Sequence, residues 1–199
     1  MRLGVMGGTF DPIHLGHLAA ASEICFRLEL DRVIFVPTGQ SWHKDRAEAS
    51  PADIRLEMAI AATANDARFT VSRVDVDREG PTYTVDTLDD LRRHVEHSAP
   101  GTSIQWFFIT GADALATLGD WKDPSGIAER ATIIGVTRPG HQLADPGIRD
   151  VPVQLVQVPG MAISSTEIRD RIAEGAPIRY LVPDSVEEII RERGLYRAR

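Results

Sequence analysis

With 199 residues, 43% of them hydrophobic and 26% charged, the chain has the makeup of one globular domain with a sizeable core. Its net charge of -7 argues against nucleic acid as the default partner, because no broad excess of cations is available for backbone phosphates. Small phosphorylated ligands stay open, since they need only a few well-placed cations. A single cysteine, Cys25, excludes an internal disulfide. No signal-peptide pattern opens the chain and no apolar run is long enough to cross a bilayer, so no membrane association and a reducing cytoplasmic setting are expected.

In chain order, RLGVMGG (2–8) predicts a buried strand ending in a glycine turn, and 15–30 a helix with apolar residues at helical spacing. RVIFVP (32–37) is a second strand, stopped by Pro37, and 38–50 is a polar loop. A helix with proline near its first turn covers 51–65, and the alternation of 69–77 predicts a strand. An amphipathic helix follows at 84–97, then the most apolar strand, SIQWFFITG (103–111), expected at the centre of the sheet. Short helices fit 112–118 and 124–130, strands fit 131–140 and 153–158, and glycines close helices at 165–175 and 184–194. Strands that are nearly continuous runs of Val, Ile and Phe, alternating with helices, predict an α/β fold. The expectation is a Rossmann-like, doubly wound, mainly parallel sheet with helices on both faces. The expected organisation is one domain over 1–199, with a C-terminal helical portion from about 164. Ligands in such folds bind where strands end, so 7–17, 38–44, 111–113 and 138–140 matter most.

The segment GGTFDPIHLGH (7–17) joins a strand end, glycines and a helix start. Glycine admits close approach of an anion, and helix-start N–H groups attract negative charge. Neither GxxxxGK[ST] nor GxGxxG occurs, which weighs against a P-loop kinase and a dinucleotide-binding dehydrogenase. Asp11 and Pro12 read as an N-cap and first turn, which would put His14 and His17 on one side of the helix. HxxH without further Cys or His is a weak zinc signal, so no protein-held metal is expected, and imidazoles donating to phosphate fit better. The helix-start field favours neutral rings. In AISSTEIRDRI (162–172), Ser164-x-x-Glu167 is a capping box, and Arg169 adds a planar cationic fork suited to phosphate oxygens.

These two segments resemble the HxGH and ISSTxxR signatures of the nucleotidyltransferase superfamily. The stretches VPTGQSWHK (36–44), GPTYTVDTL (80–88), ITGADAL (109–115), LGDW (118–121) and TRPG (137–140), down to the closing GLYR, extend the likeness along essentially the whole chain. They resemble the bacterial nicotinate-nucleotide adenylyltransferases. The resemblance implies transfer of AMP from ATP to nicotinate mononucleotide, giving deamido-NAD and pyrophosphate by direct in-line attack.

By the same resemblance, His14, His17 and Arg169 are catalytic. Gly8, Thr9, Phe10, Gly111, Asp113, Ser164, Ser165 and Thr166 join them in binding ATP. Thr38, His43, Lys44, Thr84, Trp121 and Arg138 meet the mononucleotide, with Thr84 offering its backbone N–H to the nicotinate carboxylate and Trp121 stacking on the ring. Many relatives have prolines before the basic loop residue, where this chain has Ser41 and Trp42. Mg²⁺ is expected to arrive with ATP, and homo-oligomers are left open. Phosphopantetheine adenylyltransferases share both signatures but not PTYTVDTL or LGDW. A catalytically silent nucleotide-binding module on the same fold is the alternative of another class.

Overall fold

A computed structural model of the chain describes residues 1–41, 49–137 and 146–197. Six parallel strands form its main sheet: β1 (Arg2–Gly8), β2 (Arg32–Pro37), β4 (Phe69–Val71), β6 (Gln105–Gly111), β7 (Thr132–Thr137) and β8 (Val153–Gln157). Their spatial order is β4-β2-β1-β6-β7-β8. Counting only the strands of this sheet, that is the order 3-2-1-4-5-6 of a doubly wound nucleotide-binding fold, and it reverses between β1 and β6. The strand at 105–111 is central, as its apolar run requires.

Both faces of the sheet are covered because each inner strand is apolar on both sides. In β6, Phe107 and Ile109 enter one core, while Trp106 and Phe108 enter the other. The first core packs under α1 (Leu15–Arg27), α2 (Ala52–Thr63), α6 (Ser165–Ala173) and α7 (Asp184–Arg193). The second packs under α3 (Thr84–Ser98) and α5 (Pro124–Arg130), with α4 (Ala112–Leu115) and a 3₁₀ turn at Leu118–Asp120 beside the strand ends. Gly175 and Gly194 take φ of +76° and +60° at the ends of α6 and α7, as the sequence predicts.

Three expectations need correction. The stretch 69–77 is a strand only to Val71. Ser72 N–H still donates to Phe35, but the Asp77 N–H then turns back to the Arg73 carbonyl. The alternation beyond Val71 serves a turn: Val74 packs on the second core and the Asp75 carboxylate is buried under α3, taking the Thr87 hydroxyl at 2.7 Å. Second, the polar loop contains a strand. Gln40–Ser41 is β3, which pairs in parallel with β5 (Pro81–Thr82) through Gln40–Pro81 and Ser41–Thr82. Third, Asp11 is not the cap of α1. That position is His14, and Asp11 is buried to other ends. No helix among the described residues is long and apolar enough to cross a membrane.

Candidate active site

At the C-terminal ends of β1 and β6, where the strand order reverses, lies a cavity of about 420 Å³. Gly8 and Gly111 end the two strands at its floor. His14, His17 and Phe10 form one side, and Ser164 and Ser165 approach from α6. Ile109, Val136, Val158 and Met161 supply an apolar wall, with Met161 40% exposed.

The two imidazoles stack with ring centroids 3.7 Å apart and planes 26° off parallel. Their three-residue spacing places them on one side of the first turn, as predicted. The His14 backbone N–H donates to His17 Nδ1 at 3.2 Å. With Nδ1 an acceptor, the neutral His17 ring carries its proton on Nε2, where it can be donated. Phe10 meets His17 edge-on at 5.1 Å, fixing the ring plane. The glycine of HLGH has a steric reason: a Cβ on Gly16 would lie 3.0 Å from His14 Nδ1 and displace that ring.

Helix α6 docks on this turn. Ser164 caps it by accepting the Glu167 N–H at 3.1 Å, half of the predicted box. Ser165 Oγ donates to the Pro12 carbonyl at 2.9 Å. Arg169 Nη1 donates to the Asp11 carbonyl at 2.8 Å, and Nη2 to Thr166 Oγ1 at 3.3 Å. The two signatures, about 150 residues apart in sequence, therefore touch directly and border one cavity.

Asp11 is the node behind them. Its carboxylate accepts the Ser50 N–H at 3.0 Å and the Tyr196 hydroxyl at 2.5 Å. Burial, reinforced by the Asp11 carboxylate it bonds, pushes the Tyr196 phenol well above its ordinary range, so it remains a donor. Thr9 lies outside the cavity wall, its carbonyl held by Arg55 Nη1 at 2.8 Å.

The remaining described candidates gather at the start of α3 rather than in the cavity. Thr84 is the first residue of α3, where N–H groups lack helical acceptors. Trp121 packs edge-on against Phe108 at 5.9 Å, and its Nε1 donates to Thr117 Oγ1 at 3.3 Å. The neighbouring Lys122 reaches back to Asp86 at 2.9 Å and sits 4.8 Å from the Tyr83 ring centre, drawing Trp121 to the helix start. Thr38 joins from the other side: its N–H donates to the Gly8 carbonyl at 2.9 Å, and the β3–β5 pair links it to the segment before Thr84. Gly39 is obligatory there, since a Cβ would stand 2.0 Å from the Asp75 carbonyl oxygen. Phe108 bridges the two groups, its ring also lying beside Gly7. His43, Lys44 and Arg138 lie outside the described residues, and for Asp113 only the backbone position, in α4, is described.

Comparisons with known proteins give the family and the fold. A model of the cytidylyltransferase-like family matches residues 5–171. "Probable nicotinate-nucleotide adenylyltransferase" of Acidothermus cellulolyticus is 55% identical over 98% of this chain and 94% of its own length. The protein of the same name from Salinispora arenicola is 56% identical over 96% of this chain and 100% of its own. The chain belongs to the nicotinate-nucleotide adenylyltransferase family. In fold it is similar to the Plasmodium falciparum nicotinic acid mononucleotide adenylyltransferase. The structure of that enzyme complexed with NaAD gives a TM-score of 0.74 at 18% identity, covering 98% of this chain and 97% of that one. Its complex with APC gives 0.72, covering 98% and 96%.

Arg55 is the member of this assembly that sequence reasoning missed. Its signal was available: in PADIRLEMAIAAT it stands one turn before Ala59, a charge on the stripe that also carries Met58.

Proposed function

We propose that this chain transfers AMP from ATP to nicotinate mononucleotide, forming nicotinate adenine dinucleotide and pyrophosphate in NAD biosynthesis. The observation that carries the reading is the contact of both signatures at one cavity, at the switch point of the sheet, with the α3 start and Trp121 beside it. A triphosphate in the cavity meets the neutral His17 Nε2–H and His14 near its α-phosphate. The β- and γ-phosphates lie toward the α6 start, where Ser164, Ser165, Thr166 and Arg169 offer hydroxyls, N–H groups and a guanidinium. The mononucleotide approaches from Thr38, Thr84 and Trp121, its ring carboxylate favoured by the helix start.

The attacking phosphate is already anionic, so the reaction needs no general base. Its phosphate oxygen bonds the α-phosphorus of ATP while the bond to the pyrophosphate oxygen breaks, and pyrophosphate leaves opposite. Catalysis is then positioning plus neutralisation of developing charge. Magnesium enters with the triphosphate as part of the substrate, and among the described residues no group of three His, Cys, Asp or Glu gathers.

A pyrophosphate-release assay with ATP tests the reading, run with nicotinate mononucleotide and, in parallel, with nicotinamide mononucleotide and phosphopantetheine. Release with the first substrate well above the other two is expected. No release above an enzyme-free blank would favour the silent-module alternative, and release with phosphopantetheine alone the other adenylyltransferase.

A further inference from the structure

Three backbone carbonyls from three separate segments converge on one buried side chain. Arg55, on the first turn of α2, is 3% exposed. Its Nη1 donates to the Thr9 carbonyl at 2.8 Å, its Nη2 to Gly39 at 3.1 Å and its Nε to Ser50 at 2.8 Å. Thr9 belongs to the glycine turn that leads to the stacked histidines. Gly39 follows Thr38, which the reading above places on the mononucleotide side, and Ser50 stands just before α2.

Ser50 is held at both of its backbone groups, its carbonyl by Arg55 and its N–H by the Asp11 carboxylate at 3.0 Å. Thr38, next to Gly39, is likewise tied to Gly8. Each Arg55 bond is charge-assisted and shielded from water, so water cannot readily replace it when a carbonyl moves. The guanidinium is planar and its donors are fixed relative to one another. A displacement of the Thr9 carbonyl therefore tilts the fork and shifts the positions at which Gly39 and Ser50 are best bonded. A lysine has the charge but can neither span the three carbonyls nor keep them in one fixed relation.

We propose that Arg55 is a positioning residue that couples the triphosphate turn to the Thr38–Gly39 backbone on the mononucleotide side, so that each substrate tightens the binding of the other. The inference rests on the substrate placement given under the proposed function. A merely structural arginine would hold the three segments in place without making one site sense the other.

The test is calorimetric titration of the full chain with an α,β-methylene analogue of ATP, which cannot react, alone and at saturating nicotinate mononucleotide. Wild type is compared with Arg55→Lys and Arg55→Gln, with thermal melts alongside. In the wild type the mononucleotide should tighten analogue binding about fivefold or more, the lower end of ordinary site-to-site coupling. In both variants the ratio should fall to within about twofold of unity. The proposal is overturned if the wild type binds the mononucleotide without tightening the analogue, or if a folded variant keeps the wild-type ratio while its melting temperature drops. Should Arg55→Gln fail to fold, Arg55→Lys, which retains the charge, and the wild-type ratio still decide. No mononucleotide binding by the wild type would overturn the substrate reading and the coupling together.

Discussion

Asp75 is a carboxylate in an unfavourable place, and its removal should stabilise the protein. Its side chain is buried beneath α3, with the Thr87 hydroxyl donating at 2.7 Å and the Arg78 guanidinium forming a long ion pair at 4.0 Å. Arg78 is also bonded to Asp90, which weakens what it offers Asp75. Burial raises the Asp75 pKa from an ordinary 3.8 to about 6. The Thr87 bond and Arg78 offset part of that effect, and the nearby Asp90 and Asp86 add to it. The folded protein thus holds this proton more tightly than the unfolded chain does. Its contribution to stability is fully present below about pH 4 and is lost as pH rises through about 6. The gap between 3.8 and about 6, at ~1.36 kcal/mol per pH unit, corresponds to about 3 kcal/mol of destabilisation at neutral pH.

Asn at this position keeps an oxygen for Thr87 and carries no charge at any pH. Asp75→Asn should therefore match wild type near pH 4 and exceed it by about 3 kcal/mol above pH 7, a figure already net of the attraction to Arg78. Urea unfolding at pH 4, 5, 6, 7 and 8 measures the difference between the two proteins, so that titrations common to both cancel. A difference that is constant with pH would refute the burial argument. A variant less stable than wild type at pH 7.5 would show that Arg78 makes the ionised form favourable.

Other substitutions probe the site and its supports. His17→Ala should lower kcat by roughly two to four orders of magnitude, measured by pyrophosphate release, in a protein that still folds; wild-type turnover would remove it from the reaction. Trp121→Ala should raise the KM for nicotinate mononucleotide about tenfold or more while leaving the KM for ATP within about twofold, since Trp121 packs on Phe108 and does not line the cavity. Tyr196→Phe should destabilise by about 1–3 kcal/mol in chemical denaturation, because the buried Asp11 carboxylate loses its hydroxyl donor.

The strands and helices that build the sheet were legible in the sequence because their information is local. Apolar runs of strand length and stripes of helical period carry it, as do glycines where the chain must take positive φ. So was the pairing of His14, His17 and Ser164, which line one cavity, because a glycine turn followed by histidines three apart is a pattern of neighbours in sequence, and Ser164-x-x-Glu167 is another. The stretch 73–77 misled because alternation has the same appearance whether every second residue packs in a strand or a turn buries one valine and one carboxylate. Asp11 misled because an aspartate before a proline reads as a cap, whereas its carboxylate is claimed by Ser50 and Tyr196, residues 39 and 185 positions away.

Taken alone, the sequence determined the parallel α/β architecture and the chemical types gathered at the strand ends. Only the tertiary structure decided which of them meet. It seated Arg169 on the Asp11 carbonyl, paired Gln40–Ser41 with Pro81–Thr82, and closed Arg55 onto Thr9, Gly39 and Ser50. The reason is physical: a helix or strand is chosen by contacts within a few residues, but a hydrogen bond between distant carbonyls and a buried guanidinium exists only once the sheet has set their spacing.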